Sequence, residues 1–176
     1  GSYSVAIGAR ALLSQNFTTA TNSFNTAVGG DAAVDLTTGI KNTALGALAL
    51  DRETQGNKTV AIGYQALTNQ IMGADTDAFN VGVGFNAGVT VGTGTNNTFI
   101  GALAGDGTDD GANNVAVGKL ALSANCADSN TSVGAGSGQV YTGAGMVAVG
   151  KDAFTNVTSG ASNVAVGFRA GAFATT

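Results

Sequence analysis

The sequence has no histidine, no proline and no tryptophan, a single cysteine (Cys126) and a single glutamate (Glu53). Without histidine, and with one thiol and one glutamate, the usual acid–base, nucleophilic and metal-ligating sets are nearly empty. No enzymatic activity, catalytic residue, cofactor or metal is expected. One cysteine cannot form an internal disulfide. Cys126 reads as a small filler in a connector, the sharper alternative being a thiol facing its symmetry mates. Charged residues make up only 10% of the chain, the net charge is -4 and the basic residues are scattered. That gives no nucleic-acid footprint. No run of 18 apolar residues is present, so no helical membrane insertion is expected.

What the chain does contain is glycine, 28 residues of 176, at regular intervals. The phrase N-[TV]-A-[VIL]-G-x-x-A-[LG], clearest at Asn163-Val164-Ala165-Val166-Gly167-Phe168-Arg169-Ala170-Gly171, fits ten times. Its glycines are Gly8, Gly29, Gly46, Gly63, Gly84, Gly101, Gly118, Gly134, Gly150 and Gly167, separated by 16 to 21 residues. The residue before each is branched and aliphatic, and the third residue after each is alanine or serine. A short fixed period of this kind predicts a solenoid in which neighbouring coils bury each other's apolar faces. The fold class is all-β, a parallel β-solenoid or β-roll of about ten coils of 16–21 residues, and residues 1–176 form one such domain.

Alternation of branched and small residues before the glycine has period two and predicts a short strand, Ser4-Val5-Ala6-Ile7-Gly8 in the first coil. Ala11-Leu12-Leu13 is expected to re-enter the core, and each coil has room for two short strands and two turns. Two coils are 21 residues long. Their extra residues, around Asn16-Phe17-Thr18-Thr19 and Ile71–Asp77, must loop outside the ladder. A second glycine precedes the main one by seven residues at Gly39, Gly56, Gly94, Gly111, Gly143 and Gly160, and is expected to supply a positive backbone dihedral. No charge occupies the five positions ending at the main glycine or the third and fourth after it. All the charges, Glu53 included, are therefore assigned to solvent-facing turns and connectors. This register predicts that a charge at Val117 or Ala121 disrupts stacking and that Lys119→Glu is tolerated.

A roll this thin encloses little core, so apolar side chains not used inside it need another cover, and self-association supplies one. The stretches Asn25-Thr26-Ala27-Val28-Gly29, Asn42-Thr43-Ala44-Leu45-Gly46 and Thr59-Val60-Ala61-Ile62-Gly63-Tyr64-Gln65-Ala66-Leu67 resemble the repeats of phage and giant-virus tail-fibre shafts. They are similar also to the shorter head repeats of trimeric autotransporter adhesins. The resemblance covers the whole chain. It implies a left-handed roll assembled as a homotrimer, able to join end to end, within a longer fibrous protein of a virion or cell surface. The function it implies is a non-enzymatic shaft supporting host attachment, with a bacterial surface adhesin or filament subunit as the alternative. A polysaccharide-cleaving spike would need a carboxylate pair facing one groove, which Glu53 and the scattered aspartates do not supply.

Partners other than the chain itself would be a host-surface glycan or protein touched by the turns, with Tyr64, Phe85 and Phe168 as the contact residues. Those aromatics fit packing against a neighbouring subunit equally well. Asp75, Asp77, Asp106, Asp109 and Asp110 could hold a hard cation but read as solvated turn residues. Asn25, Asn42, Asn80, Asn97, Asn114, Asn130 and Asn163 open seven coils, so their amides are expected to stack into a ladder. Thr26, Thr43, Thr98 and Thr131 form too broken an array for an ice-binding face. Sequons at Asn16, Asn57, Asn96, Asn130 and Asn156 matter only in a glycosylating compartment.

Overall fold

A computed structural model describes residues 3–174. Ten three-residue strands form one parallel sheet in chain order: β1 (Val5–Ile7), β2 (Thr26–Val28), β3 (Thr43–Leu45), β4 (Val60–Ile62), β5 (Val81–Val83), β6 (Thr98–Ile100), β7 (Val115–Val117), β8 (Thr131–Val133), β9 (Val147–Val149) and β10 (Val164–Val166). Each strand pairs with the next at the same phase of the repeat, as in Ala6↔Ala27 and Ala27↔Ala44. Register also survives both long coils, with Val5 opposite Thr26 and Val60 opposite Val81. The chain is a β-solenoid of about ten turns whose strand register is unaffected by the extra residues. Within residues 71–77, however, the Met72 side chain is buried and Asp77 bridges to Asn57 of the preceding coil, so only the middle of that segment protrudes. At ~4.8 Å per strand the ten rungs span roughly 45 Å. No helix of the described residues is long and apolar enough to cross a membrane.

The expectation of two strands per coil is corrected, since only one forms in the described residues. The opposite limb is a run of turns. Its alternate N–H groups donate up the rod, Leu12 to Ala32 and Ser14 to Val34, while Leu13 and Gln15 bond back to Arg10 and Leu12. Backbone handedness explains the difference. The second and fourth residues after each main glycine have positive φ, for example Arg10 at 59° and Leu12 at 51° in the first coil, and Leu48 at 59° and Leu50 at 54° in the third. A chain that turns left-handed at every second residue cannot extend into a strand.

The main glycine is required twice over. Its φ lies between 127° and 138° in all ten coils, and the glycines stack backbone to backbone. A Cβ on Gly84 would sit 2.6 Å from the Gly101 carbonyl oxygen. The second glycine follows a different logic from the one expected. Only Gly160 has positive φ; Gly39, Gly56, Gly94, Gly111 and Gly143 do not. At Gly39, Gly94, Gly111 and Gly143 the next coil passes too close, a Cβ on Gly39 falling 2.4 Å from the Gly56 carbonyl oxygen and one on Gly94 falling 2.4 Å from that of Gly111. A Cβ on Gly56 would instead fall 2.6 Å from the Glu53 carboxylate of its own coil.

Strand side chains divide between two faces. The middle residue points inward: Ala27, Ala44, Ala61, Phe99, Ala116, Ser132 and Ala148 are fully buried. Inside they meet the alanines three places after the glycine, such as Ala49 and Ala121, and the leucines four places after it, such as Leu50, Leu67 and Leu122. Leu12 joins this core but Leu13 does not, being 64% exposed on the turn limb. Volume is conserved between rungs. Phe99 fills the place of an alanine, and the leucine position on either side is then Gly88 and Gly105, where a Cβ would lie 2.8 Å and 2.5 Å from the Phe99 ring. Close packing enforces such exchanges between neighbours.

Gly84→Ala places a side chain in both a forbidden backbone region and a carbonyl oxygen, so it should cost about 3 kcal/mol or more. Gly73→Ala, which meets nothing within 4 Å, should stay within about 0.5 kcal/mol. Urea unfolding of the two variants checks the contrast.

Candidate interaction surfaces

The first and third residues of every strand point away from the core. They make two columns on one flat face: Val5, Thr26, Thr43, Val60, Val81, Thr98, Val115, Thr131, Val147 and Val164, beside Ile7, Val28, Leu45, Ile62, Val83, Ile100, Val117, Val133, Val149 and Val166. All but four of these twenty side chains are aliphatic, and none is fully buried. Leu45 and Ile100 remain 45% and 40% exposed in mid-rod, so coil-on-coil stacking alone does not cover this face. Val117 belongs here. A charge at Val117 therefore tests the outer face, whereas a charge at the fully buried Ala121 tests the coil interior. Lys119 is exposed on the turn, so its reversal to glutamate is expected to be tolerated.

Tyr64, Phe85 and Phe168 all occupy the position just after the main glycine, at the corner where the strand ends. Tyr64 and Phe85 sit on successive coils and stack with ring centroids 5.7 Å apart. Phe168 stands five coils further on, 69% exposed, with Lys151 Nζ 6.0 Å from its ring centre. The structure thus brings two of the three together. A second aromatic column, five residues before the main glycine, carries the Tyr3–Phe24 stack and Phe79 beneath Lys58 Nζ. These exposed pairs are each worth about 0.5–1.5 kcal/mol beyond their area.

The asparagine column is present as a ladder along the rod, and its amides are tied to backbone groups of the same and the following coil. Five of the seven, Asn25, Asn42, Asn80, Asn97 and Asn130, each bridge two backbones. Asn25 Oδ1 accepts the Asn42 backbone N–H at 2.9 Å, while Asn25 Nδ2 donates to the Gly39 carbonyl at 2.8 Å. The same pair of bonds recurs from Asn42 to Thr59 and Gly56, from Asn80 to Asn97 and Gly94, and from Asn97 to Asn114 and Gly111. Asn130 repeats it toward Met146 and Gly143. The amide thereby joins the corner before the strand to the second glycine, whose missing Cβ leaves room for it. In the shortened seventh coil the pattern is incomplete, and buried Asn114 Nδ2 has no partner.

Sequence reasoning missed a third inward column, seven residues after the main glycine, because the nine-residue phrase ends before it. That column holds Leu36, Glu53, Gln70, Val91, Thr108, Tyr141 and Val157. Glu53 therefore does not face solvent. Its side chain is fully buried, and the reason is a ring of donors. Glu53 Oε1 accepts the backbone N–H groups of Thr54, Gln55 and Gly56 at 2.8, 3.0 and 2.7 Å, with Met72 N–H at 3.2 Å. Gln70 Nε2 donates to Glu53 Oε2 at 2.8 Å and to Thr59 Oγ1 at 2.9 Å, and Asn80 Nδ2 donates to Gln70 Oε1 at 2.9 Å. Thr59 is where the asparagine column is interrupted, so Gln70 and Glu53 complete the wiring there. A carboxylate accepting several backbone N–H bonds is stabilised inside without a cation. The signal available in the sequence was Thr59 breaking the phrase one coil after the only glutamate.

The remaining polar candidates separate cleanly. Cys126 is buried with its Sγ 3.3 Å from Thr108 Oγ1, which is the filler role; burial raises its thiol above the ordinary range. Among the described residues no three of His, Cys, Asp and Glu converge to hold a metal. Asp77 pairs with Lys58, Asp31 with Arg10, and Asp109 and Asp110 are exposed. Of the sequons, Asn57 and Asn130 are buried and hydrogen-bonded, while Asn16, Asn96 and Asn156 are exposed.

Glu53→Ala orphans at least four donors in a dry interior and should cost about 3–5 kcal/mol. Asp110→Ala on an exposed connector should change stability by less than about 0.5 kcal/mol. Thermal unfolding followed by circular dichroism distinguishes them. Comparison with protein families, with curated proteins and with solved structures finds no match to this chain.

Proposed function

We propose that this chain is a structural shaft segment of a viral or phage tail fibre, supporting host-cell attachment without enzymatic activity. Three copies of a left-handed roll associate through the aliphatic strand face. The observation that carries this reading is that face itself. Two columns of side chains, sixteen of them aliphatic, run the whole described rod in parallel register and are left half-covered by the chain that makes them. At ~4.8 Å per rung and about 7 Å between columns the strip amounts to roughly 300 Å² of nearly continuous apolar surface before its flanks are added. A strip of this size and continuity marks an association surface.

Three arguments favour copies of the same chain as the cover. A repeating rod has the same surface at every rung, so a symmetric partner with the same repeat matches it without adjustment. Neither strand column carries a charge, so burying it incurs no charge desolvation and leaves only the four threonine hydroxyls to be satisfied. The stacked aromatics at the corner, Tyr64 and Phe85, border the same face and extend it. Function in this reading is mechanical: the rod holds whatever lies beyond its ends at a fixed distance, and its variable connectors are turned outward. Three equivalent connector surfaces per rod would raise the avidity of weak contacts with a host glycan or protein.

Light scattering on the purified chain tests the reading. A mass of three chains is expected, with Val83→Lys/Val117→Lys lowering it to one chain while the β spectrum is retained. A wild-type mass of one chain would overturn the assembly.

A further inference from the structure

The two 21-residue coils are not scattered at random along the rod. They are the first and the fourth, and their protruding connectors stand on the same edge with the shorter connectors of the second and third coils between them. The result is a half-open cleft of about 240 Å³. Phe17, Thr18 and Thr19 of the first protrusion form one wall, Asp75 of the fourth coil's protrusion forms the other, and Thr38, Ile40 and Asn57 make the floor. Rungs spaced at ~4.8 Å place the walls about 14 Å apart in backbone terms, enough for one small ring between their side chains. Nothing in the stacking of coils needs these protrusions, because strand register is the same across long and short coils.

We propose that this cleft binds a single neutral pyranose unit of a larger saccharide. The lining supplies the two kinds of contact a sugar ring needs: an apolar surface for its C–H face, from Phe17 and Ile40, and a set of short polar groups for its hydroxyls. Among the latter, no side-chain hydrogen bond within the described residues occupies the hydroxyls of Thr18, Thr19 and Thr38. Asn57 is held in place by its Oδ1 accepting the Ile40 N–H at 2.7 Å, which leaves its amide nitrogen only a long 3.5 Å approach to Asp75 Oδ1. A sugar hydroxyl approaching both from the open side of the cleft would accept from Asn57 and donate to Asp75, and charge-assisted bonds of that kind are the strong ones. Charge selects the class of sugar. The only charged group in the lining is Asp75, and nearby Lys58 is already paired with Asp77 and lies over the Phe79 ring. An anionic saccharide would meet repulsion and no cation. The size fits as well, since 240 Å³ lies below the 300–1,000 Å³ of sites for larger ligands.

The fourth protrusion is pinned where the cleft needs it. The Asn57 backbone N–H donates to the Thr76 carbonyl at 2.8 Å, Asn57 bridges to Asp77, and the Ala78 N–H returns to the Asn57 carbonyl at 3.0 Å. The cleft lies within one chain, so it stands or falls separately from trimer formation.

The test is an amide chemical-shift titration of the intact chain with the methyl glycosides of glucose, galactose, mannose and N-acetylglucosamine, and with N-acetylneuraminic acid as the anionic counterpart. Saturable shifts confined to Thr18, Thr38, Asn57 and Asp75 are expected with at least one neutral glycoside. Phe17→Ala and Asp75→Ala should each weaken that binding about tenfold or more, and Asp110→Ala should leave it unchanged. Circular dichroism confirms that all three variants stay folded. Failure of every neutral glycoside to shift these residues, a preference for the anionic sugar, or equal binding by Asp75→Ala would each overturn the proposal.

Discussion

Each coil of this protein is held to the next by a side chain that does backbone work. An asparagine at the corner before the strand takes the N–H of the following coil and gives its own amide protons to a glycine carbonyl on the far side of the same turn of chain. Both ends of that link are buried, so losing it would leave unpaired polar groups in a dry interior at about 1–3 kcal/mol each. Once the link is fixed, much else follows. The residue after it must start a strand, the second glycine must lack a Cβ to admit the amide, and insertions can only leave the rod from the connectors. The polar column sets the register and the apolar positions fill what it encloses.

The same constraint explains the outer face. With alanine inside the strand and asparagine at its corner, the coil interior is too narrow to take Val28, Leu45 or Ile62 as well, and they are turned outward. Inside, space is traded rung by rung: Phe99 against Gly88 and Gly105, and Phe154 against Gly171, where a Cβ would lie 2.4 Å from the ring. A thin roll gains length cheaply and pays for it with an uncovered side. The proposed association along that side would cover it, and the cleft framed by Phe17 and Asp75 is the feature that the periodic rod does not explain by itself.

How much of this was legible beforehand depended on how faithfully a position repeats. The ten glycines, the strand before each, the inward small residue after each and the outlooping of the first and fourth connectors could all be read from spacing. Side-chain direction within the strand could not, because period two is satisfied by either face, and only the packing of Ala27 against the leucines decides it. The second strand was overestimated because left-handed residues such as Arg10 and Leu12 carry no mark in the sequence; most positions of this kind are usually given to glycine or asparagine, and here leucine is common. Gly39 and its counterparts looked like dihedral requirements and prove to be close approaches. Glu53 was misplaced for the simplest reason. A lone carboxylate is normally solvated, and the donors that bury it come from Thr54, Gln55 and Gly56 beside it and Met72 and Gln70 one coil away. The aromatic pair Tyr64–Phe85 was visible as spacing, but the cleft was not, since its walls are 56 or more residues apart in sequence and meet only through the rise per rung.

The most direct measurement is amide hydrogen exchange resolved by residue. If the asparagine column sets the register, the backbone N–H groups of Asn42, Thr59, Asn97, Asn114, Asn130 and Met146 will exchange as slowly as the strand amides, through opening of the whole rod. Exchange of those six at the rate of the exposed connectors, with the strands still protected, would show that the strands hold the stack alone and would contradict the account.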